Sequence, residues 1–271
     1  MRVLFLGDVV AKAGRSVVQE FVPQLRQSEN ITFVIANGEN AAGGLGIDET
    51  SATELFNSGV DLVTGGNHSW DKREVIEYIA RERRLLRPAN FPDAPGFPCP
   101  GRGYAVLEGP KCRLGVLNLM GRVHMDPMDD PFAVGNKQLE WFDSHDIHCV
   151  LIDFHAEATS EKQAFAHYFA GRTSAVVGSH SHVQTADERI LIGSNGQKTA
   201  YITDAGMTGP YDSVIGMKKE RSIQRFLTKM PTRYEAAEGL PGLHGVIIDI
   251  DESSGQGLAI RRVSLFSKKN P

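Results

Sequence analysis

The sequence predicts a layered α/β fold, with two packed sheets covered by helices in a single domain spanning residues 1–271. Three observations predict it. Short continuous apolar runs rich in β-branched residues recur along the chain, as expected of strands buried on both faces. Helical periodicity separates the early runs, and repeated strand–helix alternation implies parallel strands. The later runs follow one another with fewer helices between them, which implies that part of the sheet system is antiparallel.

The apolar runs lie at residues 3–6, 31–36, 61–63, 113–119, 149–153, 175–177, 199–202 and 245–250. Between them, residues 15–28 place Val17, Val18, Phe21, Val22 and Leu25 on one side of a helix. Residues 48–58 open on Asp48 as an N-cap, and residues 71–83 open in the same way on Asp71 before Val75, Ile76 and Ile79. Residues 161–170 form a fourth helical stretch. The proline- and glycine-rich residues 87–103, and residues 121–135, read as stiff loops and not as flexible linkers.

The bulk numbers exclude some functions. A chain of 271 residues buries a full core without staples. Its 41% hydrophobic and 23% charged content is ordinary for a globular protein. A net charge of -4 argues against a dedicated DNA-binding surface, while leaving a small nucleotide or an RNA end acceptable as substrate. Cys99, Cys112 and Cys149 are widely spaced, have no metal-ribbon pattern, and read as reduced thiols. No apolar run reaches the length of a signal peptide core or a membrane span, so a cytoplasmic protein with no membrane association is expected.

Polar residues gather where these strands end. The first strand leads into Asp8, the second into Glu39 and Asn40, the third into Asn67 and His68, and two later ones into His155 and into His180 and His182. The C-terminal strand edge is where open α/β sheets bind ligands. In an extended segment His180 and His182 would share a face. Burying a Glu, an Asp and three His together without a metal would leave charges and imidazole nitrogens needing partners. Gly7, Gly38, Gly65, Gly66 and Gly178 fit a crowded site that backbone approaches closely. The mixed nitrogen and oxygen donors suit Fe, Mn or Zn. His124, in the loop that could overhang the site, is the other histidine of interest. The segment 203–216 reads equally as a pocket wall or as turn chemistry after a strand.

This order of residues resembles the calcineurin-like metallophosphoesterase superfamily. The strings NGENAAGGLGI, GGNHSWD, RPANFP, FHAEATSEK, GSHSHVQTAD and TDAGMTGPYDSVIG are similar to those of the YmdB-like family of bacterial phosphodiesterases. The resemblance implies a four-layer α/β sandwich of two mixed sheets flanked by helices. It implies two metal ions per chain, iron first and Mn or Zn otherwise. Asp8, Asn40 and His182 would hold one metal, Asn67, His155 and His180 the other, and Glu39 would bridge them. His68 would be the catalytic acid, a role typically worth ~10²–10⁴-fold in rate. The implied reaction is hydrolysis of cyclic nucleotides, 2′,3′-cyclic and also 3′,5′-cyclic AMP, by water activated between two metals. The superfamily's usual Asp-x-His opening is absent, since Val10 stands at the histidine position, and Asn40 is the natural substitute.

Other readings are weaker. Residues 42–46 suggest a phosphate loop, but the glycine spacing fits neither nucleotide fingerprint and no Gly-Lys-Ser/Thr follows. A phosphomonoesterase would use the same ligands. A regulator that binds a nucleotide or RNA end, with hydrolysis secondary, is the alternative from another class. A symmetric homo-oligomer is expected on general grounds alone.

Overall fold

Strand β1 (Arg2–Leu6) is apolar at successive positions because both of its faces are covered. Val3 and Phe5 point into a core between two sheets, while Leu4 and Leu6 point into a core beneath helices. A computed structural model describes this arrangement for residues 1–110 and 112–268. After β1 come β2 (Asp8–Val9), helix α1 (Ala11–Ser28), β3 (Phe33–Asn37), α2 (Glu49–Asn57), β4 (Leu62–Thr64) and α3 (Val75–Arg81). β1, β3 and β4 are parallel and adjacent, with Val3 beside Phe33 and Ile35 beside Leu62. Val17, Val18 and Val22 of α1 and Ala52 and Leu55 of α2 cover the outer face. Fully burying each large aliphatic side chain of this kind is worth ~1.5–3 kcal/mol.

The second sheet starts with the hairpin β5 (Tyr104–Glu108) and β6 (Arg113–Met120), then takes α4 (Pro131–Ser144), β7 (Val150–His155), α5 (Thr159–Phe169), β8 (Ala175–Ser179), β9 (Arg189–Ile192) and β10 (Lys198–Ile202). Its order is β5-β6-β7-β8-β10-β9, with antiparallel strands at both edges. Leu139 and Phe142 of α4 and Phe165 and Phe169 of α5 pack on its outer face. The chain then returns to the first sheet through β11 (Met207–Pro210), α6 (Lys219–Thr228), β12 (Pro241–Ile250) and β13 (Gly257–Phe266). The first sheet runs β2-β11-β12-β1-β3-β4, with β13 also paired to β12. Helices, sheet, sheet, helices are the four layers expected. Among the described residues no helix is long and apolar enough to cross a membrane.

Several local expectations needed correction. α3 starts at Val75 and not at Asp71, because the Asp71 carboxylate pairs with His68 and caps nothing. The 121–135 loop ends early: Asp130 accepts from Phe132 N and Ala133 N, and Pro131 opens α4. The segment 203–216 is partly strand, since β11 pairs with β2 and β12.

Candidate metal centre

The parallel register delivers the polar residues to one edge. Neighbouring parallel strands end close to one another, so the side chains at their ends and just beyond gather at one edge. In β7 and β8, His155 lies beside Ser179. In the first sheet Val10 bridges to Asn40, which sets the end of β2 against the Glu39–Asn40 turn. All the residues singled out as ligands or acid in the sequence meet there.

Two groups of donors are visible. His155 Nε2 lies 3.0 Å from Asn67 Oδ1, 3.1 Å from His180 Nδ1 and 3.2 Å from Glu39 Oε1. Asn40 Nδ2 lies 3.3 Å from His182 Nε2, which is 3.7 Å from Asp8 Oδ1. Glu39 stands between the groups, since its Oε1 is also 3.1 Å from Asn40 Nδ2. Its Oε2 accepts the His68 backbone N–H at 3.0 Å. Asp8, Glu39, Asn40 and His155 are all buried.

The rings are oriented from behind, as in metal sites where a remote hydrogen bond fixes the tautomer. His155 Nδ1 meets Ser179 Oγ at 2.9 Å, and Ser179 Oγ donates to Asp153. His182 Nδ1 meets the Ile215 carbonyl at 2.9 Å, leaving Nε2 toward the cluster. His180 Nε2 pairs with Glu157 at 3.0 Å, so its Nδ1 faces inward. Asp153 also accepts from Thr64 Oγ1, and its carboxyl is pushed up to about 6 by burial.

Electrostatics tie the cluster together. Burial works to raise Glu39, but the charge and hydrogen bond of His155, helped by His68, hold it down at about 2. His155 is raised to about 9: burial opposes its protonation, and the carboxylates of Glu39, Asp8 and Asp153 outweigh it. His180 is lowered to about 3, by burial first and by His155 second. Asp8 is raised by burial, against the pull of His182 and His155. Carboxylates and imidazoles that perturb one another this strongly in a cleft mark a functional site.

Three observations fit a cation there. Asp8 Oδ1 and Asn40 Oδ1 are buried oxygens without a hydrogen-bond partner, and both belong to the His182 group. A Cβ on Gly66 would overlap Glu39 Oε2 and His155 Nε2, so only glycine lets the β4 turn approach the donors. Glu39, His155 and His180 offer ligand atoms within 4.8 Å of one another.

His180 and His182 share the site for a different reason than strand alternation. β8 ends at Ser179, and both histidines have positive φ, 102° and 63°. Non-glycine residues hold such angles only where the surroundings over-determine them. The His180 N–H bonds Asp8 Oδ2 at 3.1 Å, and the Ser181 N–H bonds Asp204 Oδ2 at 3.0 Å. Sequence reasoning missed Asp71, whose Oδ2 is 2.8 Å from His68 Nδ1, and also Glu157. A carboxylate three residues past a histidine in a turn was the available signal for the first. His124 does not line the cleft above the donors, whereas Gly44 and Leu45 of the glycine-rich loop do.

Two mixed sheets, outer helices and a donor cluster at the strand ends make this a fold of metallophosphoesterase type. A 5′-nucleotidase precursor from Thermus thermophilus, only 12% identical, matches it with a TM-score of 0.64 over 98% of this chain and 54% of that one. Within that architecture the chain belongs to the YmdB-like protein family, which it matches over residues 4–263. It is 47% identical to the 2′,3′-cyclic-nucleotide 2′-phosphodiesterase of Bacillus subtilis (strain 168), over 97% of this chain and 96% of that protein. A hypothetical protein from Thermus thermophilus is 43% identical, with a TM-score of 0.89 over 98% of this chain and 99% of that one. The expectation of a phosphoester hydrolase is met at the level of the family.

Proposed function

We propose that residues 1–271 form one metallophosphoesterase domain that hydrolyses cyclic nucleotides, 2′,3′-cyclic ones first and 3′,5′-cyclic AMP second. The observation that carries this reading is the donor set, with its two unpartnered buried oxygens, Asp8 Oδ1 and Asn40 Oδ1, in the His182 group. The name of the Bacillus subtilis relative supplies the substrate class. Asp8, Asn40 and His182 would hold one metal ion, and Asn67, His155 and His180 the second, with Glu39 shared. Nitrogen and carboxylate donors without thiolate suit Fe, Mn or Zn. Bound there, such ions supply Lewis-acid polarisation of phosphate oxygens and a water acidic enough to lose its proton near neutral pH.

The chain's own residues do the rest. His68 directs Nδ1 at Asp71, which fixes the ring and leaves Nε2 as the atom that carries a proton to the departing ribose oxygen. The His68 backbone N–H on Glu39 Oε2 ties the position of that acid to the shared carboxylate. Ser179, Ile215 and Glu157 hold the three ligand imidazoles in their tautomers.

The test is metal analysis of purified protein together with hydrolysis of 2′,3′-cyclic AMP, for wild type and His68→Ala. About two metals in each protein, with turnover only in wild type, is the expected result. An unmetallated wild type, or no hydrolysis after Fe, Mn or Zn is restored, would overturn the reading.

A further inference from the structure

The donor cluster opens into a cleft of about 560 Å³. That volume lies in the range of small-ligand sites. Its lining has two chemistries. Glu39, Asn40, His68, Glu157, His180 and His182 make most of the polar part. The apolar part comes from Leu45 and from a stretch that starts at Val214 and Ile215, passes Met217 and then Phe226 in α6, and ends at Tyr234. Ile215 joins the two parts, because its carbonyl accepts from His182 Nδ1.

Phe226 is 66% exposed and Tyr234 43%. Large aromatic rings left open beside a polar cluster await a flat apolar partner. Lys218 and Arg221 pair with Glu235 and Lys219 with Asp212, while the Lys229 ammonium lies 5.6 Å from the centre of the Phe226 ring. Among the described residues that line the cleft, none is a lysine or arginine. The apolar part carries only two side-chain hydroxyls, Ser222 and Tyr234. A hydroxyl rotates to donate or accept, so it does not discriminate between bases.

We propose that this wall is a base subsite, in which Phe226 and Tyr234 hold a nucleobase by stacking without reading its edge. The substrate class is then a cyclic nucleotide of any base. The inference rests on the cyclic-nucleotide reading above and narrows it.

The test uses the metal-loaded full chain and two readouts. The first is the KM and kcat for the 2′,3′-cyclic forms of adenosine, guanosine, cytidine and uridine. The second is the equilibrium Kd of adenosine 3′-monophosphate and, separately, of inorganic phosphate. Loss of one base–aromatic stack weakens binding about five- to a hundredfold. Phe226→Ala should raise KM and the adenosine 3′-monophosphate Kd by that factor, leave kcat and the phosphate Kd in place, and be rescued by Phe226→Tyr. The wild-type KM values should agree across bases within about tenfold. Unchanged KM and Kd in a Phe226→Ala/Tyr234→Ala variant, or a strong preference for one base, would overturn the proposal. If wild type hydrolyses none of these substrates yet binds adenosine 3′-monophosphate through Phe226, the wall stands and the phosphodiesterase reading fails. Hydrolysis of all four without dependence on Phe226 is the reverse result.

Discussion

Lys162 has its ammonium group deep in the protein. Its Nζ lies 2.7 Å from Asp204 Oδ2, and the two side chains are 2% and 0% exposed. Asp204 is used in three directions, because its carboxylate also accepts the Ser181 and Gly206 N–H groups. Lys162→Met keeps the length and packing of the side chain and deletes its charge, so Asp204 loses its ionic partner. Breaking a buried pair from one side costs ~3–5 kcal/mol. In a chain of this size each kcal/mol moves the melting midpoint by ~2–4 °C, so a fall of roughly 6–20 °C is expected in a thermal scan at neutral pH. The double variant Lys162→Met/Asp204→Asn removes both charges while leaving an acceptor for the backbone, and should recover part of that loss. Ser181 lies between His180 and His182, so the single variant should also weaken metal binding. A Lys162→Met protein that loses less than ~1 kcal/mol would refute the reasoning, since a desolvated carboxylate without a counter-charge cannot be that cheap.

Other expectations concern the cluster and its surroundings. His68→Ala should keep its metals and lose ~10²–10⁴-fold in turnover, whereas Glu39→Ala should lose metal as well; metal analysis beside rate measurements separates the two. Gly66→Ala drives a methyl group into Glu39 and His155. It should therefore abolish metal uptake in a protein whose circular dichroism is unchanged, and full metal content would sink that account. His244 is lowered to about 4 by burial and by Arg262. Its native ring resists a proton that the unfolded chain accepts at about 6.5, so its contribution to stability is complete above that pH and declines as the pH falls toward 4. Urea midpoints across this window should fall less steeply for His244→Phe, and identical slopes would remove His244 from the explanation.

The sequence carries the core well and the edges poorly, for a physical reason. β1, β3, β7 and β8 are covered on both faces, so they appear as apolar runs and their ends locate Asp8, Glu39, His155 and His180. β9 and β13 have alternating or exposed faces, and β5 lies at a sheet edge, so none stands out from its surroundings. α4 was hidden by the proline that starts it. At the site, residue types and strand ends picked out the polar side chains that meet at the sheet edge. Their orientation did not follow, because it depends on groups remote in sequence. Ile215 sits 33 residues from His182, Ser179 24 residues from His155, and Asp71 works through a turn that resembled a helix start.

The donors are spread from residue 8 to residue 182, and the first sheet closes only when β12, at Pro241–Ile250, settles against β1. In a growing chain leaving the ribosome the donor set is therefore incomplete until late: Asp8 and Glu39 emerge long before His155, His180 and His182, and β11, which pairs with β2 at Asp8, is later still. Long-range pairings of this kind form late in folding. On the metal-centre reading proposed above, the ion is selected by a completed donor set from whatever metal pool surrounds it, and the supply of that pool becomes a determinant of activity that no residue of the chain encodes.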